Sequence, residues 1–191
     1  MQNLNIAIIG AGTAGLASAA FLHRNGNRVT LYERFERPMP LGAGLLIQPT
    51  GLAILAQLGL DQKIIDAGSR IDQLYGKVAH RKSATLDVRY KDFAPHLFGV
   101  GTHRGTFFSS LYETVQHDGV TIVPATEIAR VDRDSTASYL VDTNEKHFGP
   151  YDAIIDGSGA GSTLRERHAN VKLDRPCLLY TSPSPRDSIA S

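Results

Sequence analysis

IAIIGAGTAGLASAA, residues 6–20, is the stretch on which the reading of this chain turns. A short apolar run over residues 4–9 reads as a strand, and an apolar pattern with helical spacing follows from about Thr13 to His23. Between them, Gly10, Gly12 and Gly15 form G-x-G-x-x-G. Gly10 permits the tight turn, Gly12 lets backbone approach a pyrophosphate, and Gly15 lets the helix lie close to the strand. Asn25-Gly26-Asn27 stops the helix, and Arg28 to Glu33 supplies a second, β-branched strand. Together these make one β-α-β unit.

The start of such a helix offers unpaired N–H groups and a positive dipole end to phosphates. Glu33 follows at the end of the second strand, where a carboxylate accepts from ribose hydroxyls. A glycine-rich turn in some other α/β protein is the bland alternative. Strand, helix and acid in their required order favour a bound dinucleotide, with Gly10, Ala11, Gly12, Thr13, Ala14, Gly15 and Glu33 as its expected contacts. A carboxylate at position 33 repels a 2′-phosphate, so the pattern favours FAD or NAD over NADP. Arg34 is read as a loop arginine or a partner for the adenine face.

Composition narrows the remaining classes. A net charge of +1 over 191 residues gives no electrostatic reason to expect nucleic acid or an acidic membrane as partner. No run of about 18 apolar residues exists, which argues against a membrane-spanning helix. No Lys or Arg precedes Arg24, so the first segment lacks the positive region of a signal peptide. The single cysteine, Cys177, allows no internal disulfide and suits a reducing compartment, so the chain is read as cytoplasmic. Seven histidines show no short metal-ligand spacing, and no G-x-S-x-G nucleophile elbow is present.

Beyond the first unit, ERPMPLGAG is a Pro/Gly-rich loop and LLIQP a brief extended piece. Residues 50–58 have helical spacing through Leu52, Leu55 and Leu58, closed by Gly59. A short helix is expected over residues 61–67, with Asp61 as its cap. Residues 71–100 alternate weakly and suggest strands. Residues 104–117 read as a helix with Phe107, Phe108, Leu111, Tyr112 and Val115 on or near one face. VTIVPAT, EIARVDR, SYLVDT and YDAIID then read as short strands.

The chain resembles the amino-terminal part of the FAD-dependent aromatic-ring monooxygenases, the para-hydroxybenzoate hydroxylase type. Four stretches carry the likeness: GAGTAG with the Glu33-Arg34 pair, GAGLLIQPTG with LAILAQLGL, Arg104 opening HRGTFFSSLYE, and DAIIDGSGAGSTLRE. The resemblance implies a Rossmann-like α/β FAD-binding fold with a β-rich excursion at about 71–100. It implies hydroxylation of a small organic, often aromatic, substrate using O2 and NADH or NADPH, with no catalytic acid or base identified. It also implies that Arg104 reaches the FAD phosphates, against the plainer reading of a surface helix arginine. Gln48 and Pro49 match a loop near the flavin in that family, or else form only a helix-entry turn.

DAIIDGSGAGSTLRE explains why a second strand-then-glycine stretch occurs. The family pattern G-A-D-G-x-x-S-x-x-R braces the FAD pyrophosphate and is implicated in nicotinamide use. Gly159, Ser162 and Arg165 match it, whereas Ser158 stands at the acidic position and Asp156 lies two residues earlier. Ser158 and Gly159 join Arg34 and Arg104 as expected cofactor contacts. A turn that only packs is the alternative. A non-catalytic dinucleotide-binding module, an NAD-dependent dehydrogenase, and a flavin reductase or halogenase of the same superfamily stay open as functions.

CLLYTSPSPRD, from Cys177, turns abruptly Ser/Pro-rich. It resembles the translation of a transposase adaptor used in preparing sequencing libraries; a genuine disordered terminus is the alternative. Residues 1–176 are thus expected to be an incomplete FAD-binding domain and residues 177–191 a disordered tail. A later Gly-Asp motif and much of the substrate pocket would then lie downstream, and this chain alone is expected to bind FAD weakly or not at all and to turn over little.

Overall fold

The computed structural model describes residues 2–39, 43–78, 83–159 and 161–165. In chain order the elements are β1 (Asn5–Ile9), α1 (Thr13–Arg24), β2 (Arg28–Tyr32), β3 (Gly44–Ile47), α2 (Pro49–Leu58), α3 (Asp61–Asp66), β4 (Ser69–Ile71), β5 (Gln73–Lys77), β6 (Ala84–Arg89), β7 (Gly99–His103), α4 (Arg104–His117), β8 (Thr121–Val123), β9 (Ile128–Arg133), β10 (Ser138–Asp142), β11 (His147–Tyr151) and β12 (Ala153–Asp156). The central sheet is parallel, in the order β12-β1-β2-β8. Antiparallel sheets β11-β10-β9 and β3-β7-β4 and the β5-β6 pair complete the strands. The adaptor-like segment and residues 166–176 lie outside the described residues, as do residues 40–42, 79–82 and 160.

The apolar run of β1 serves two cores at once. Ile6 and Ile8 enter a cluster with Leu16, Ala19 and Ala20 of α1 and with Phe108, Leu111 and Val115 of α4. Ala7 and Ile9 point the other way, toward Leu140 of β10, Tyr151 of β11 and Tyr32. Successive side chains on a strand face opposite sides, so a strand covered on both faces needs apolar residues at every position. Here helices cover one face and the β9–β11 sheet the other. The Tyr32 and Tyr151 hydroxyls meet at 2.5 Å inside this second core, which satisfies both buried polar tips. Burial, that hydrogen bond and the neighbouring phenol push the Tyr32 hydroxyl far above its usual range.

The helices follow their sequence signals closely. Pro49 opens α2 at its first position, Leu52, Leu55 and Leu58 are buried, and Gly59 closes it in the left-handed conformation with φ 72°. That conformation is nearly free for glycine and costly for residues with a Cβ. In α4 Phe108, Leu111 and Val115 are buried as the spacing predicts, with Phe107 and Tyr112 packed at the margin. Arg24 ends α1 and ties three helices together: its Nε and Nη2 donate to the Asp118 carboxylate after α4, and its Nη1 to Leu58 O of α2.

Two expectations change. Asp61 does not cap α3; it is the first helical residue, Leu60 holds the cap position, and no side chain caps the helix. YDAIID is not one strand: Tyr151 ends β11 and Ala153 begins β12. The break at Asp152 lets its Oδ2 accept from Asn5 N–H at 2.7 Å, where the chain changes sheet. β11 itself was hidden, because Gly149 and Pro150 lie in a stretch that a strand pattern would exclude.

Hydrogen bonding to the Arg24 guanidinium outweighs partial burial and holds the Asp118 carboxyl below its usual 3.8. A carboxyl depressed on folding adds stability above its unfolded pKa, and that stability disappears as pH falls through the folded value. Asp118→Asn is therefore expected to melt below the wild type near neutral pH. The difference should be full above the ordinary carboxyl value of 3.8 and shrink as pH falls below it, as thermal melts across a pH series would show.

Candidate functional site

β1 and β12 are adjacent and parallel, with Ile9 opposite Asp156. Both glycine turns therefore leave the same end of the sheet side by side. Gly157 N–H donates to Ile9 O at 2.8 Å, and Gly10 N–H to Tyr32 O at 2.7 Å. β1 has β2 on one side and β12 on the other, so the chain departs in opposite directions from it. The crevice outside the carboxyl ends of parallel strands at such a reversal is where open α/β sheets bind ligands.

The three glycines of the first turn are required for different reasons. Gly10 has φ +94°, and a Cβ there would lie 2.8 Å from both Gly157 O and Ser158 Cα. A Cβ at Gly15 would lie 1.9 Å from Gly10 O. Both positions are set by the protein's own packing, and Gly15 does not line the cleft. Gly12 is the exception: its Cβ would meet nothing nearer than Gly157 O at 4.0 Å, and its φ of −73° suits any residue. Nothing in the protein requires glycine at 12, while the open space above it is what a closely approaching ligand needs.

That space is a cleft of about 430 Å³. Gly10, Ala11, Gly12, Thr13 and Ala14 form its floor at the start of α1; Glu33, Arg34 and Arg104 line its sides; Ser158 and Gly159 come from the second turn. The structure thus brings together every expected cofactor contact except Gly15. No acidic residue occupies the first turn of α1, and Gly12 provides no side-chain cap. The positive end of that helix is left open toward the cleft.

Glu33 is buried, and its carboxylate is held rather than free. Oε2 accepts from Ala11 N–H at 2.7 Å and Oε1 from Phe35 N–H at 3.0 Å. Charged hydrogen bonds of this kind offset the desolvation of a buried carboxylate. Each oxygen keeps lone-pair capacity for a ligand hydroxyl. Ala11 shapes the floor without offering its N–H, which Glu33 already occupies. Arg104 is the first residue of α4; its backbone N–H donates to Ala43 O at 3.1 Å. His103 before it caps the helix, its Nδ1 accepting from Gly105 N–H.

The second turn is organised by Asp156. Its carboxylate accepts from Ser158 N–H, from the Ser158 hydroxyl and from the Ser162 hydroxyl. Burial opposes its ionisation, but these bonds and the Arg165 charge win and hold it below the usual carboxylate range. Gln48 and Pro49 are not in the cleft lining: Gln48 Oε1 accepts from the Tyr90 hydroxyl at 2.6 Å and Pro49 opens α2, the helix-entry alternative. Glu127 and Ile128 at the start of β9, Phe108, and Phe35, Pro38 and Met39 beyond Glu33 also line the cleft. No local motif marks Glu127 or Ile128, which arrive only through the docking of the β9–β11 sheet.

Comparison with known proteins bears on the family and the fold. The 6-hydroxynicotinate 3-monooxygenase of Bordetella bronchiseptica is 28% identical across 96% of this chain and 49% of its own length. An FAD-dependent monooxygenase of Aspergillus terreus is 33% identical over 86% of this chain and 50% of its own. The chain thus spans about half the length of these curated relatives. Among solved structures, 2-methyl-3-hydroxypyridine-5-carboxylic acid oxygenase superposes with a TM-score of 0.73 at 21% identity, over 86% of this chain and 42% of that one. CtdE, solved in complex with FAD, superposes with a TM-score of 0.68 at 20% identity, over 87% and 41%; at these identities the likeness is one of fold. The model of the FAD binding domain matches residues 3–165, and the chain belongs to that family.

Proposed function

We propose that this chain is the dinucleotide-holding part of an FAD-dependent monooxygenase that hydroxylates a small, aromatic substrate with O2 and NADH or NADPH. The observation that carries the reading is the open floor at Gly12, between an uncapped helix start and a buried ribose-competent carboxylate. Relatives named as monooxygenases of 6-hydroxynicotinate and kynurenine support the reaction class and an aromatic substrate. No helix among the described residues is long and apolar enough to cross a membrane, and we place the protein in the cytoplasm, where reduced nicotinamide is available.

In this reading the residues present divide the cofactor between them. Gly12, Thr13 and Ala14 face the pyrophosphate with the positive end of α1. Glu33 accepts from ribose hydroxyls through the lone pairs that Ala11 and Phe35 leave unused. Arg104 brings a guanidinium suited to phosphate oxygens, and Arg34 lies at the rim. When bound, FAD would supply the redox and oxygen chemistry; the protein binds it, orients it and limits water around it.

The reaction is tested with the uninterrupted gene product. Aromatic-substrate-dependent NAD(P)H oxidation, with one oxygen atom of 18O2 appearing in the product, is expected. Bound flavin without oxygen incorporation from any aromatic substrate would refute hydroxylation. Three substitutions in the same gene product test the site. Gly12→Val should leave the apo melting temperature near wild type yet weaken FAD at least about tenfold, because its side chain fills the ligand's space. Gly15→Ala should instead cost the apo fold about 1–3 kcal/mol, through collision with Gly10 O. For Arg104→Ala, flavin fluorescence titrations should show about tenfold weaker FAD at low salt, the loss of one charged hydrogen bond. That difference should shrink as added salt screens the phosphate.

A further inference from the structure

Asp156 does not line the cleft, yet two residues it holds, Ser158 and Ser162, do. A serine hydroxyl has one proton to donate and two lone pairs. Asp156 Oδ1 takes both the N–H and the hydroxyl proton of Ser158. Ser158 Oγ therefore has only lone pairs left for whatever enters the cleft. Ser162 is already fully engaged: its proton goes to Asp156 Oδ2, and Oγ accepts from Leu164 and Arg165 N–H at 3.2 Å each.

We propose that Asp156 is a positioning residue that fixes Ser158 as a hydrogen-bond acceptor. Position 158 then takes a donor group of the bound dinucleotide, a ribose or ribityl hydroxyl, and does not serve a phosphate oxygen. The inference rests on the dinucleotide reading above and deepens it. A phosphate oxygen accepts only, so it would need Ser158 with its proton free, the opposite of what the turn presents. The donor groups of FAD that can answer an acceptor near the pyrophosphate floor are its sugar and ribityl hydroxyls. The packing of Ser158 Cα over Gly10 holds this acceptor beside that floor.

The test uses FAD titrations by fluorescence quenching on the uninterrupted gene product as wild type, Asp156→Ala, Ser158→Ala and the Asp156→Ala/Ser158→Ala double variant, with apo melting temperatures alongside. Asp156→Ala and Ser158→Ala should each weaken FAD about fivefold, one neutral hydrogen bond. The double variant should be no weaker than Ser158→Ala. Unchanged or tighter binding by Asp156→Ala, as removal of a negative charge near phosphate would give, overturns the proposal. So does a double variant clearly weaker than Ser158→Ala. Should Asp156→Ala not fold, Ser158→Ala and Ser158→Thr decide: the threonine variant should bind as wild type does, and an unimpaired alanine variant overturns the proposal. An uninterrupted wild-type gene product that fails to bind FAD overturns the dinucleotide reading itself, and this inference with it.

Discussion

The rest of the structure depends on how closely the turns after β1 and β12 approach each other. A single Cβ at Gly10 would reach within 2.8 Å of the backbone at Gly157 and Ser158. A single Cβ at Gly15 would drive α1 off the same turn at 1.9 Å. Backbone atoms cannot move aside as a flexible side chain can, so these contacts fix where α1 begins relative to the sheet. That in turn sets the direction in which the helix dipole points and the width of the space over Gly12. The chain between β2 and β12 folds into the layers that hold the two strands together: α4 on one face, the β9–β11 sheet on the other.

The electrostatics of the cleft are arranged on that frame. A buried carboxylate at Glu33 would repel phosphates if it faced them bare, and its burial alone costs several kcal/mol. It is tolerated because two backbone N–H groups bind it, one from the floor and one from the chain beyond β2. Those bonds tie it to the floor beside the helix start, whose first turn carries no acid of its own. Positive potential is thus concentrated where α1 and Arg104 face the cleft, and acceptor oxygens where Glu33 stands. On the opposite turn Asp156 holds its two serines and the Ser158 N–H beside the Arg165 charge, and does not itself line the cleft. The separation of donors from acceptors along one groove is what a molecule with phosphates flanked by hydroxylated sugars requires.

Local pattern was sufficient wherever one element carried its own signal. The glycine spacing between strand and helix, the acid closing β2, the leucine period of α2 and the apolar stripe of α4 each follow from side-chain period and turn sterics, and each is present. It was insufficient where an element's role came from its neighbours. β11 carries a glycine and a proline and reads as loop, yet pairing with β10 makes it a strand. Asp61 has the composition of a cap, but the chain entering from Gly59 and Leu60 begins the helix at Asp61 itself, one residue earlier than an Asp61 cap requires.

The sequence by itself determined that a dinucleotide turn exists, because strand, glycines and helix are contiguous and their sterics are local. It also marked Glu33, which the length of one β-α-β unit returns to the same end of the sheet. Tertiary structure alone decided what surrounds that turn. It placed a stretch more than a hundred residues away directly against Gly10, and brought Glu127 and Ile128 to the cleft without any motif. It made Asp156 the anchor of the second turn, two positions from where the family pattern puts its acid. Those contacts join residues distant along the chain, and only the pairing of β1 with β12 and the packing of the second sheet bring them within hydrogen-bond range.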